Sequence, residues 1–80
     1  MRDVVIYTKV PCPYCTRAKA LFNKKSIPFE EIDITNDPAA QLEMVERSGR
    51  KTVPQIFIDG ESIGGCDDLY ELYESGKLEL

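Results

Sequence analysis

Apolar positions along the chain fall into two kinds of pattern: short β-branched runs, and longer stretches in which they recur every three or four residues. Val4 to Thr8 (VVIYT) is a β-branched and aromatic run ended by Lys9-Val10-Pro11, which predicts a buried strand feeding a loop. After Pro13 the period changes. Cys15, Ala18, Leu21 and Phe22 follow at steps of three, three and one, the inward face of a helix. Proline suits the first helical position, because its missing N–H would be unpaired there and its fixed φ is already helical. Pro13 therefore marks the first turn, and Cys12 falls at the N-cap. The helix is expected to run to about Lys25 and to close at Ser26-Ile27-Pro28, since a proline disfavours helix in the residue before it. Phe29, Ile32 and Ile34 stand among acidic residues and predict a second strand over 29–34. Strand, helix and strand within about thirty residues make a βαβ unit, whose crossover is right-handed in nearly all cases.

In the second half, Asp37 is the expected N-cap and Pro38 the first residue of another helix, continuing through Ala39, Leu42 and Val45. Gly49 is the natural left-handed stop. Gln55 to Ile58 predicts a strand, Asp59-Gly60 a two-residue hairpin turn and Glu61 to Ile63 the antiparallel partner. Gly64-Gly65-Cys66-Asp67-Asp68 then leads into a final helix whose Leu69, Leu72 and Tyr73 share a face, with Gly76 as its stop. The order βαβ-α-ββ-α predicts one α/β domain over residues 1–80, a four-stranded mixed sheet flanked by three helices.

Composition narrows the function. With 80 residues, 42% hydrophobic and 30% charged, the chain has the balance of a small globular domain. A net charge of −4 and a pI near 4.7 argue against a nucleic-acid binder, which would need a clustered basic surface. Basic residues gather only locally: Lys9, Arg17 and Lys19 near the first cysteines, and Arg47, Arg50 and Lys51 before the second proline-containing motif. Most of these are expected to be solvated, with one or two serving a small anionic substrate. Three cysteines are too few for a disulfide scaffold, and their odd number fits a reducing compartment, hence the cytoplasm. Met1-Arg2-Asp3 precedes only Val4, Val5 and Ile6 before polar residues return, so neither a signal-peptide core nor a membrane span is expected.

The chemistry is expected at Cys12-Pro13-Tyr14-Cys15. Cys12 would sit at the positive end of a helix dipole among free N–H groups, where a thiol ionises below its free value of ~8.5. Cys15 leans toward the core. Residues three apart on a first turn lie within the ~4.4–6.8 Å Cα separation of disulfides, so the pair can cycle between dithiol and disulfide. Half of a zinc site is the competing reading, but the chain has no histidine and one other cysteine, short of four ligands. A Cys-x-x-Cys beside a βαβ pattern is a thioredoxin-like redox signal.

Three motifs occur in order: Cys12-Pro13-Tyr14-Cys15; Thr52-Val53-Pro54-Gln55 with Ile56-Phe57-Ile58; and Gly64-Gly65-Cys66-Asp67-Asp68-Leu69. Together they resemble the dithiol glutaredoxins over essentially the whole chain, and the short length with Cys66 is similar to the short bacterial glutaredoxin-3 type. The resemblance implies a thioredoxin-like fold. It also implies a glutathione-dependent thiol-disulfide oxidoreductase, reducing protein disulfides and glutathione mixed disulfides through a Cys12/Cys15 redox pair. In that family's terms Cys12 is the nucleophile and Cys15 the resolving cysteine. Tyr14 would flank bound glutathione, Lys9 would lie near its glycine carboxylate, and the Thr52-Val53 backbone would pair with its cysteinyl part. Pro54 would be the family's cis-proline facing the thiols. Gly65, Cys66 and Asp67 would hold the γ-glutamyl end, by N–H groups to its carboxylate and by the Asp67 side chain to its amino group. Gln41 would add a polar contact to the glycine end.

The same resemblance implies no permanently bound cofactor or metal, with glutathione as reducing co-substrate. Its partners would be glutathione and disulfide-containing or glutathionylated client proteins, ribonucleotide reductase among the candidates, and the protein would be a monomer binding neither nucleic acid nor membrane. Cys66 has a competing reading as a small core residue, and Asp68 is expected to be an ordinary charge on a first helical turn. Two other functions compete. A thioredoxin-like donor recycled by a reductase would carry Trp-Cys-Gly-Pro-Cys, and the chain has no tryptophan. A non-catalytic carrier would hold an iron–sulfur cluster between two chains through Cys12 and glutathione, and Pro13 counts against it.

Overall fold

Period-two alternation along the strands divides the core between the two faces of one sheet. The computed structural model describes residues 3–78. Its elements are β1 (Val4–Thr8), α1 (Pro13–Lys24), β2 (Glu30–Asp33), α2 (Pro38–Ser48), β3 (Gln55–Ile58), β4 (Glu61–Gly64) and α3 (Cys66–Glu74). The four strands lie in the order β2-β1-β3-β4. β1 runs parallel to β2, with Tyr7 opposite Ile32, and antiparallel to β3, with Ile6 opposite Ile56. β4 closes the sheet antiparallel to β3, with a register shift between Ile56 and Phe57. This is the mixed, three-helix architecture that the element order predicts.

Val4, Ile6, Ile56 and Ile58 point to one face, where they pack with Ala18, Leu21 and Phe22 of α1 and with Cys66 and Leu69 of α3. Tyr7 and Phe57 point to the other, against Ile34 and Met44. The Tyr7 and Phe57 rings meet edge to face, their centroids 5.6 Å apart. Tyr7 is wholly buried, and its hydroxyl donates to Glu43 and accepts from Arg47 at 3.0 Å, tying β1 to α2.

Four boundaries differ from expectation by a residue, because helix and strand ends fray. α1 stops at Lys24, with Lys25 as its cap, and β2 covers Glu30–Asp33 rather than 29–34. β4 extends to Gly64. The inward face of α2 is decided by the sheet. Leu42 is 59% exposed and Ala39 lies outside, whereas Ala40, Met44 and Val45 face the sheet. Ala39-Leu42 and Ala40-Met44 are both apolar at helical spacing, and the wholly buried Met44 selects the pair over Tyr7 and Phe57. The caps match expectation: the Asp37 carboxylate accepts the Ala40 N–H at 3.1 Å, and Gly49 is left-handed at φ 75°. Asp59 and Gly60, at φ 54° and 83°, make the two-residue turn between β3 and β4.

Candidate active site

The N-cap geometry of Cys12 is where local structure becomes chemistry. Cys12 is extended at φ −148°, ψ 97°, with Pro13 as the first helical residue, so its side chain turns back over the opening turn of α1. Its Sγ accepts the Cys15 N–H at 3.1 Å and lies 3.9 Å from the Val53 carbonyl oxygen. Cys12 and Cys15 form a disulfide across a Cα separation of 5.2 Å. Cys15 is 2% exposed while Cys12 is half-buried, so the two sulfurs are unequal: one reachable, one behind it. The approach loop is tied down as well. The Val10 N–H donates to Thr35 Oγ1 at 3.0 Å, and the Thr35 N–H donates in turn to Asp33 at 2.8 Å. The Thr35 hydroxyl, which also donates to Asp33, and then this N–H hold the Asp33 carboxyl below its ordinary range.

Beside the disulfide lies a cleft of about 310 Å³, lined by Tyr14, the loop segment Arg50 and Thr52–Pro54, and the α3 start Gly65–Asp68. The Val53–Pro54 peptide bond is cis. Gln55, fully buried at the start of β3, donates to the Thr52 carbonyl at 2.9 Å and to its hydroxyl at 3.1 Å, fixing the loop wall. Tyr14 is 53% exposed at the rim, with the Arg17 guanidinium 6.0 Å from its ring and 5.7 Å from that of Tyr70. Cys66 carries a free thiol, 3% exposed at the first position of α3, and burial pushes its pKa up.

A cysteine pair at the mouth of a helix, on a βαβ-ββ sheet and facing a cis-proline loop across a cleft, defines a thioredoxin-fold dithiol exchanger. Comparison with known proteins specifies the kind. The glutaredoxin family model matches residues 4–63, and the chain belongs to the glutaredoxin family. It is 57% identical over 79 residues to glutaredoxin 3 of Escherichia coli (strain K12), covering 99% of this chain and 95% of that one. Glutaredoxin 1 of Rickettsia typhi is 47% identical over 81 residues, 99% of this chain and 78% of the relative. Among solved structures, a glutaredoxin from Brucella melitensis is 57% identical with a TM-score of 0.80, covering 94% of this chain and 82% of that one. A buckwheat glutaredoxin–glutathione complex is 35% identical with a TM-score of 0.86, covering 96% and 73%.

Of the residues singled out from the sequence, Tyr14, Thr52, Val53, Pro54, Gly65, Cys66 and Asp67 line the one cleft. Lys9 does not. It lies in a second cleft on the other side of the disulfide, with Thr8, Lys19 and Glu31, where Lys19 and Thr8 hold the Glu31 carboxyl below its ordinary range. Gln41 sits apart, on α2 beside Leu42 and Lys51. Sequence reasoning gave Arg50 and Asp68 no place in the site. Asp68 is no ordinary first-turn charge: its Oδ2 accepts the Gly65 N–H at 2.9 Å and the Arg50 guanidinium at 3.0 Å. Those two bonds, the Gly65 one foremost, hold its carboxyl below its ordinary range. The spacing of Gly65 and Asp68, an N-cap and an acid three residues on, was the available signal for the cap. Nothing local announces Arg50, whose partner lies 18 residues away.

Proposed function

We propose that this chain is a glutathione-dependent thiol-disulfide oxidoreductase, reducing glutathione mixed disulfides and protein disulfides, with Cys12 as nucleophile and Cys15 as resolving cysteine. The carrying observation is the Cys12–Cys15 disulfide at the start of α1, opening beside a cleft walled by a second helix N-terminus. In the reduced protein the Cys12 thiolate attacks the glutathionyl sulfur of a mixed disulfide. The client sulfur leaves as a thiolate and takes up a proton. A second glutathione thiolate then attacks the glutathionyl sulfur on Cys12, releasing oxidised glutathione and restoring the Cys12 thiolate. The Cys15 N–H stabilises that thiolate both as nucleophile and as leaving group.

With a protein disulfide, Cys12 forms a mixed disulfide with one client sulfur. Cys15 loses its proton and attacks Cys12 Sγ, the client leaves with both sulfurs reduced, and the Cys12–Cys15 disulfide remains. Two glutathiones reduce it to the dithiol and depart joined as oxidised glutathione. Tyr14, Thr52, Val53, Pro54, Gly65, Cys66 and Asp67 form the glutathione cleft in this reading. The N–H groups of Cys66 and Asp67, with no acceptor inside α3, suit a carboxylate of the tripeptide. The protein is read as a cytoplasmic monomer acting on disulfide-containing or glutathionylated clients, of which ribonucleotide reductase is one to assay. Among the described residues no helix is long and apolar enough to cross a membrane.

The test is a glutathione-coupled assay, with glutathione reductase recycling the product, on a small glutathione mixed disulfide. The native chain should turn over and Cys12→Ser should not. Turnover that survives Cys12→Ser would require another nucleophile, and no turnover in the native chain would end the assignment.

A further inference from the structure

The cleft has two walls from distant parts of the chain, the loop before β3 and the start of α3, and they touch at two points. At the floor Gly65 lies against Pro54, where even a Cβ at position 65 would come 3.4 Å from the Pro54 carbonyl oxygen. At the rim Arg50 bridges to Asp68 at 3.0 Å, and the bridging oxygen, Oδ2, also takes the Gly65 N–H at 2.9 Å. One carboxylate oxygen therefore caps α3 and ties the two walls together at the rim. Gly64, at φ +109°, leaves the space that this carboxylate occupies.

That arrangement has an electrostatic consequence. The start of α3 carries two acids, Asp67 and Asp68, beside the N–H groups that face the cleft. An uncompensated Asp68 would oppose any anion arriving there, because like charges a few ångströms apart repel. Arg50 cancels that charge and draws it toward the loop. The side chains of Arg50 and Asp68 are 54% and 41% exposed, so the pair itself adds little to fold stability.

We propose that Arg50 is a positioning residue for glutathione binding that acts through Asp68, neutralising and holding its carboxylate so that the N-terminus of α3 stays open to the anionic end of the tripeptide. This rests on the glutathione-dependent reading above. Arg50 touches no reacting sulfur, so its removal changes affinity and leaves the chemical step alone.

The experiment measures kcat and KM for glutathione in the coupled assay for the native chain, Arg50→Gln, Arg50→Lys and the double variant Arg50→Gln/Asp68→Asn, with unfolding midpoints as a folding control. Arg50→Gln should raise KM about tenfold, the size of one charge-assisted contact, with kcat unchanged. Arg50→Lys should restore most of the loss, and added salt should shrink it. The double variant should recover to within about twofold of native, because the uncompensated acid is gone while the amide oxygen still caps Gly65. A double variant as weak as Arg50→Gln would mean that Arg50 touches the ligand itself, and an unchanged KM in Arg50→Gln would mean that it has no part. Either result overturns the proposal with glutathione turnover intact, whereas a native chain without turnover overturns the underlying function as well.

Discussion

Replacing Gly64 by alanine probes the fit between the end of β4 and the Asp68 side chain. Gly64 ends β4 at φ +109°, a conformation L side chains rarely adopt and that costs ~1–3 kcal/mol when forced. A Cβ there would also lie 2.8 Å from the Asp68 carboxyl carbon and 3.0 Å from its Cβ, so the Asp68 side chain must swing away. It then releases the Gly65 N–H, a helix cap worth ~1 kcal/mol, and the Arg50 bridge, an exposed ion pair worth ~0–1 kcal/mol. The sum is about 2–5 kcal/mol, or an unfolding midpoint lowered by roughly 8–40 °C in a domain this small. Urea unfolding of the oxidised protein would measure it, on Gly64→Ala in the native background and in Asp68→Ala. With Asp68 already truncated, the carboxylate overlap and the cap have nothing left to lose, and backbone strain of ~1–3 kcal/mol remains together with the 3.0 Å approach to the Cβ at position 68. A cost below ~1 kcal/mol in the native background, or the same cost in both, would refute the account of how Gly64 and Asp68 fit together.

Cys15→Ser should keep reduction of small glutathione mixed disulfides while losing dithiol-dependent reduction of protein disulfides, seen by running both substrates side by side; loss of both would break the division of labour between the sulfurs. Leu42→Ser, on the outer side of α2, should change stability by less than ~0.5 kcal/mol, whereas Met44→Ala should cost ~2–5 kcal/mol, and thermal or urea unfolding separates them. Asp68 gives a pH signature. Its folded pKa lies below the ordinary value of 3.8, so between the two the unfolded chain binds more protons and stability rises with pH. The stabilising effect of Asp68 over Asp68→Asn should be full above about pH 5 and fade as pH falls through the lowered folded pKa, and urea unfolding from pH 6 to pH 2 would show it. A difference that persists undiminished at pH 2 would assign the effect to shape instead of charge.

Much of the fold was legible because its signals are local. Pro13 and Pro38 each opened a helix, Gly49 ended one, and Asp59-Gly60 turned the hairpin, all through φ preferences or a missing N–H that a neighbouring residue cannot override. Cys12 at the N-cap and Cys15 on the inward face follow from the same arithmetic, so the redox pair needed no tertiary information. The stripe of α2 was not decided locally. Ala39-Leu42 and Ala40-Met44 are both apolar at helical spacing, and the sheet surface at Tyr7 and Phe57 chose between them.

The sequence by itself determined the order of elements, the placement of two thiols on one helical turn and the motifs that align with a family. Each depends on residues a few positions apart, whose backbone geometry chemistry fixes directly. Tertiary structure alone decided that Tyr14, Thr52–Pro54 and Gly65–Asp67 share a cleft, that Lys9 and Gln41 lie outside it, and that Arg50 meets Asp68 at its rim. Those relations join side chains held together only by the packing of α3 and the loop before β3 onto the sheet, and a linear pattern carries no measure of that distance.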